Sequence, residues 1–164
     1  MVLIVYFDGL CEPVNPGGIA TYGFIIYKDR RKVAEGKGVV GAGFLGDDVT
    51  NNVAEYTALI KALEWLLAHN LVEDLVIRGD SQLTIRQLQG VYEVRSSRLR
   101  PLHEKVRKLL SRFPSYRLEW VPREENAEAD ALSRAAYEEF LREHPEALGF
   151  YRQRCVRKRK VKQH

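Results

Sequence analysis

Four acidic residues fall where strands are expected to stop and helices to begin. Asp8 closes an apolar, β-branched and aromatic run from Val2 to Phe7, and Asp80 follows a second such run, Leu75 to Arg78. Glu55 comes just after Thr50-Asn51-Asn52, at the mouth of a stretch in which Ala54, Ala58, Leu59, Ala62, Leu63, Leu66 and Leu67 recur at helical spacing. Asp130 lies within Asn126-Ala127-Glu128-Ala129-Asp130-Ala131-Leu132-Ser133, at the start of the last amphipathic segment. Strand ends and helix starts share one edge of an α/β sheet, the edge at which ligands bind. Four carboxylates meeting there repel strongly unless a cation screens them, and oxygen donors without His or Cys suit Mg²⁺ or Mn²⁺. Two such ions roughly 4 Å apart activate water and stabilise a leaving oxygen in phosphodiester cleavage. Taken singly, each acid also reads as a cap, a turn residue or a solvated charge.

The elements that must position these acids follow from the same patterns. Val2 to Phe7 is too short for a helix and reads as a buried strand that Asp8 ends. A turn-rich loop, Glu12-Pro13-Val14-Asn15-Pro16-Gly17-Gly18, places Cys11 at a turn and leads to a strand over Ala20 to Tyr27. Lys28-Asp29-Arg30-Arg31 reverses the chain into a third strand over Lys32 to Val40. Asn51 or Asn52 is expected to cap the next helix, putting Glu55 in or near its first turn, where the helix dipole favours a negative charge. After the strand at Leu75, Ser81 is an expected cap for a helix carrying Leu83 to Leu88. A basic amphipathic helix over Leu99 to Phe113, a strand over Tyr116 to Val121 and a helix capped by Asn126 and running to Glu143 complete the order. That order describes an α/β domain with a mixed sheet covered by helices.

At 164 residues the chain is long enough to bury a core as one domain. The expected division is a domain over residues 1–143 and a basic tail over 144–164. The formal net charge of +4 conceals an asymmetry, since Arg152 to His164 holds seven Lys or Arg and no acid. A basic terminal arm reads as a phosphate-attracted segment or as a solvated end. Cys11 and Cys155 lack metal-ligand spacing and are expected to be free thiols in a reducing compartment. No apolar run approaches the roughly 20 residues of a membrane span, so a cytoplasmic protein without membrane contact is expected.

Asp8-Gly9 with Asn15-Pro16-Gly17-Gly18, Thr50-Asn51-Asn52 with Glu55, Asp80-Ser81-Gln82 and the Asn126 to Ser133 segment together resemble type 1 ribonuclease H, from Val2 to about Phe140. The resemblance implies a ribonuclease H-like fold, a five-stranded mixed sheet in the order 3-2-1-4-5, and a monomer acting on RNA/DNA hybrids. It also implies that Asp8, Glu55, Asp80 and Asp130 are catalytic ligands of two Mg²⁺ or Mn²⁺ ions, and that the products end in a 5′-phosphate and a 3′-hydroxyl. Sensing 2′-hydroxyls across a shallow minor groove needs short groups that both donate and accept, and Asn15, Asn51, Asn52 and Gln82 match hybrid-touching positions. The resemblance also implies that Thr50 and the helix start around it contact a DNA-strand phosphate.

Two departures mark a short, archaeal-like form. The turn Pro122-Arg123-Glu124-Glu125-Asn126 replaces a longer loop bearing a His, and Arg123 there reads either as a phosphate contact or as a surface charge. Gln89 to Arg100 is too short for the family's basic handle, leaving Arg95, Arg98 and Arg100 as candidate phosphate contacts. Three rival readings follow: an enzyme that also cuts double-stranded RNA, a member of the wider superfamily of transposases and junction resolvases, and a non-catalytic hybrid-binding module. If the tail grips substrate, deleting residues 152–164 will flatten the salt dependence of hybrid binding, and an unchanged slope assigns the grip elsewhere.

Overall fold

The computed structural model describes residues 2–153, so the expectations for Cys155 and for the tail from residue 154 onward lie outside the described residues. Strand β1 (Val2–Glu12) is central: it pairs antiparallel with β2 (Ile19–Lys28) and parallel with β4 (Asp74–Gly79). Strand β3 (Arg31–Ala42) lies antiparallel outside β2, and β5 (Tyr116–Trp120) lies parallel outside β4. The expected order 3-2-1-4-5 is therefore realised.

Asp8 does not end its strand, and Cys11 lies within it rather than in a turn, because β1 continues along β2 as far as the Glu12↔Ile19 pair. What ends near Asp8 is the neighbour: the parallel ladder with β4 stops at Tyr6↔Arg78. Beyond Tyr6 one flank of β1 is freed from the sheet, and Asp8 opens onto that gap.

Helix α1 (Asn51–Ala68) covers one face of the sheet, with Leu59, Leu63 and Leu66 fully buried in the cluster that holds Leu3, Val5, Phe7 and Ile77. Helices α2 (Gln82–Leu88) and α3 (Arg100–Leu110) extend that cluster through Ile85, Val106 and Leu110. On the opposite face α4 (Ala127–Glu143) buries Ala129, Ser133, Ala136 and Phe140. Residues 146–153 are also helical, and Ala147 and Tyr151 join Ile19, Ala42 and Phe140 in a smaller cluster, so packing continues past Glu143.

Two expected caps are corrected. Thr50, not Asn51 or Asn52, caps α1: its Oγ1 accepts the Val53 N–H at 3.1 Å, which makes the two Asn the first helical residues and places Glu55 in the second turn. Asn126 does not cap α4 with its side chain, because Nδ2 donates to the Phe7 carbonyl at 2.9 Å, beside the point where the β4 ladder has ended. Ser81 caps α2 as expected, accepting the Thr84 N–H at 3.2 Å.

Two glycines set how closely the helices approach the sheet. A Cβ on Gly9 would lie 2.2 Å from the Glu55 nitrogen, so α1 rests directly on the backbone of β1. A Cβ on Gly23, the β2 partner of Asp8, would lie 2.6 Å from the Ala129 carbonyl oxygen and 2.7 Å from the Ser133 nitrogen. Neither obstacle is a flexible side chain, so a methyl group there must move a helix. Gly9→Ala is expected to cost about 1–3 kcal/mol in urea denaturation, whereas Gly149→Ala, with nothing among the described residues within 4 Å of its added Cβ, is expected to cost nothing.

Candidate metal centre and substrate cleft

The freed flank of β1, the second turn of α1 and the end of β4 deliver Asp8, Glu55 and Asp80 to one place: one ligand oxygen from each lies within 4.8 Å of the others. Asp8 is 5 % exposed and Glu55 2 %, so two of the three carboxylates are inside the protein. Asp130, half-buried in the first turn of α4, lines the same cleft of about 380 Å³ but stands outside the three-residue cluster.

Burial and like charge govern the site. Burial first, then Asp80 and Asp130, push the Asp8 carboxyl up to about 7, against the lowering pull of the Ser133 hydroxyl and the Arg123 guanidinium. Glu55 is raised well above the usual carboxylate range by burial and then by Asp8 and Asp80, while the Gly9 N–H favours its charged form. Asp80 is raised by burial and held back by the Asn126 amide and Arg123. Glu55 Oε2 is buried and has no hydrogen-bond partner among the described residues. A buried acceptor left unpaired beside two further carboxylates is costly. Asp8, Glu55 and Asp80 fit a hard divalent cation in donor type and in spacing, and such an ion would supply the missing partner.

Of the residues singled out in the sequence, the cleft brings Asn15, Asn51 and Arg123 together with the four acids. Asn15 Oδ1 accepts the Asn51 N–H at 3.0 Å, so the β1–β2 loop is tied to the start of α1. Thr50, Asn52 and Gln82 are not among the cleft-lining residues: Thr50 uses its hydroxyl as the cap, Asn52 is half-buried on the first turn, and Gln82 is exposed at the first position of α2. Of the arginines replacing the handle, Arg98 is paired with Asp48 at 2.6 Å, Arg95 with Glu93 at 3.4 Å, and Arg100 bonds the Val94 carbonyl at 3.3 Å.

Several site residues carried no role in the sequence reading. Ser133 Oγ lies 2.6 Å from Asp8 Oδ2 and 2.9 Å from the Asp130 carbonyl oxygen, so its single proton is shared between the two acids' surroundings. Its place three residues after Asp130, a small polar group on an apolar helix face, was the available signal. Arg134 grips Glu12 with both terminal nitrogens, at 3.0 and 3.2 Å, and both residues line the cleft. The Trp120 indole N–H donates to the Asp80 carbonyl oxygen at 3.0 Å.

The raised carboxyls make stability depend on pH. A carboxyl whose folded pKa exceeds its unfolded value stabilises the fold below the unfolded pKa, and that contribution is lost as pH rises through the folded one. For Asp8 the window runs from 3.8 to about 7. Metal-free protein is therefore expected to melt at lower temperature at pH 8 than at pH 5, with Asp8→Asn recovering roughly 1–4 kcal/mol at pH 8. Thermal melts in chelator, with Mg²⁺ restoring the wild-type loss, measure this.

No helix among the described residues is long and apolar enough to cross a membrane. A family model described as reverse transcriptase-like matches residues 7–136. Ribonuclease HI of Halobacterium salinarum is 39 % identical over 134 residues, covering 82 % of this chain. The chain spans 63 % of that curated relative's own length and 32 % of the mycobacterial relatives it also matches. The crystal structure of RNase H1 from Halobacterium salinarum superposes with a TM-score of 0.76 at 36 % identity, covering 85 % of this chain and 99 % of that one. LC11-RNase H1, isolated from compost and solved in complex with an RNA/DNA hybrid, superposes with a TM-score of 0.76 at 35 % identity and the same coverage. With the acid cluster, the strand order and these matches in agreement, the chain belongs to the reverse transcriptase-like family and, within it, to type 1 ribonuclease H.

Proposed function

We propose that this protein is a metal-dependent endonuclease that hydrolyses the RNA strand of RNA/DNA hybrids, leaving 5′-phosphate and 3′-hydroxyl ends. The observation that carries the reading is the cluster of Asp8, Glu55 and Asp80, the first two buried, in which Glu55 Oε2 has no hydrogen-bond partner among the described residues. In this reading Asp8, Glu55 and Asp80 hold Mg²⁺ or Mn²⁺, and Asp130 completes the set from the edge of the cleft. When bound, two such ions supply an activated water and charge stabilisation for the leaving oxygen. The chain's own groups do the rest. Ser133 orients the Asp8 carboxylate, Asn126 holds the end of β4 near Phe7 and Asp80, and Arg123 offsets negative charge at the mouth.

Substrate selection falls to the start of α1. Asn51 and Asn52 present amides in its first turn, while Asn15, tied to the Asn51 backbone, presents its own amide beside them. Amides read 2′-hydroxyls because they donate and accept at short reach. Gln82 extends this row across the gap to α2, and the Thr50 hydroxyl, which accepts the Val53 N–H and keeps its own proton to donate, suits a phosphate of the DNA strand. All four acids come from one chain, so in this reading the site needs no partner subunit, and monomeric action in the cytoplasm is part of the proposal.

Labelled RNA/DNA hybrid, double-stranded RNA and DNA, each incubated with Mg²⁺ or Mn²⁺, test this reading. Cleavage confined to the RNA of the hybrid and absent in Asp8→Asn is expected. Cleavage of double-stranded RNA as well would broaden the substrate class, and metal-dependent cleavage of none would reject the enzyme. Glu55→Gln is expected to lose at least about 10³-fold in turnover while folding normally. Asn52→Ala is expected to raise KM about 3- to 10-fold at nearly constant kcat.

A further inference from the structure

The segment that follows α4 lies beyond the span of the family model, which ends at residue 136. It nonetheless reaches the loop beside the cleft. Tyr151 is 1 % exposed, and its hydroxyl donates to the Gly17 carbonyl oxygen at 3.0 Å while accepting the Phe44 N–H at 3.3 Å. Its ring sits in an aromatic group with Phe44 and Phe140, next to Ile19, Ala42 and Ala147.

Gly17 is not a free loop residue. Its N–H donates to the Val49 carbonyl oxygen at 3.0 Å, immediately before the Thr50 cap, and the next residue's carbonyl accepts the Gly43 N–H at 3.0 Å. Two residues earlier in the same loop, Asn15 Oδ1 holds the Asn51 N–H. A continuous path of hydrogen bonds and one loop therefore runs from Tyr151 through Gly17 to the first turn of α1. The approach leaves no slack, since a Cβ on Gly43 would stand 2.0 Å from the Gly17 carbonyl oxygen.

We propose that Tyr151 is a positioning residue for hybrid binding: through Gly17 it fixes the loop that carries Asn15 and braces the start of α1, where Asn51 and Asn52 meet substrate. The proposal rests on the assignment of those three amides to the substrate. It touches no reacting atom, so its signature is in binding rather than in chemistry. A group that ordered the loop in advance lowers the entropy lost when substrate immobilises it.

Tyr151→Phe in the full-length protein removes one oxygen and keeps the ring. Steady-state cleavage of a labelled hybrid is expected to show KM raised about 3- to 10-fold with kcat within about twofold. In parallel, hydrogen–deuterium exchange of the metal-free protein is expected to quicken in residues 13–18 and 49–53 and to stay unchanged in β4 and β5. A fall in kcat at constant KM, or exchange unchanged in the loop, overturns the proposal. The exchange experiment uses no hybrid, so it decides the positioning of the loop even if wild-type protein cleaves nothing, a result that would instead reject the proposed activity.

Discussion

Asp8, Glu55 and Asp80 repel one another, and holding them together is the constraint on which the rest of the structure depends. Each is pushed toward its protonated form by burial; Asp80 raises Asp8 further, and Asp8 and Asp80 both raise Glu55. Nothing in the local chemistry of carboxylates would gather them. What gathers them is packing elsewhere: α1 is clamped onto the sheet by a fully buried leucine face, and α4 by Ala129, Ala136 and Phe140. The cost of the site is met by apolar burial at a distance from it, which is the general way in which functional strain is tolerated. Gly9 and Gly23 are where that packing is converted into geometry, because each lets a helix backbone rest against a strand backbone within reach of Asp8.

The polar neighbours of the acids have a shared character. Ser133, Asn126 and the Gly9 N–H all donate, and each donor is fixed by a second bond or by the backbone. Donors aimed at carboxylate oxygens limit how those oxygens turn, so fewer orientations compete when a cation arrives. The Glu12–Arg134 fork works at a larger scale: it joins the end of β1 to α4, one turn beyond Asp130, and so braces the side of the cleft away from α1.

The succession of strands and helices, and the places of the four acids along it, were legible because they depend on local periodicity or on residues only a few places apart, whereas the sheet order came with the resemblance to ribonuclease H. The failures share the opposite property. Thr50 and Asn51 are both good caps, and only the backbone geometry chooses between them. The true length of β1 depends on its register with β2, which is a pairing across a loop. Asn126 is drawn from a cap into the interior by a carbonyl 119 positions away, and Arg134 finds Glu12 across 122. The role of the C-terminal segment was equally hidden, since Tyr151 reads in sequence as one aromatic next to a basic run, and its partner Gly17 lies 134 positions earlier.

The Trp120 hydrogen bond gives the site an optical reporter of its own. The chain has two tryptophans. Trp65 stacks on His69 at 3.9 Å, at the other end of α1 from Glu55. Trp120 is 45 % exposed and joined through its indole nitrogen to the backbone of Asp80. Trp120 therefore lies where its emission responds to solvent and to the charge on Asp80, while Trp65 answers to its own contact with the His69 ring. Protonation of the cluster and occupation by a cation are both events that this fluorophore registers without any attached label.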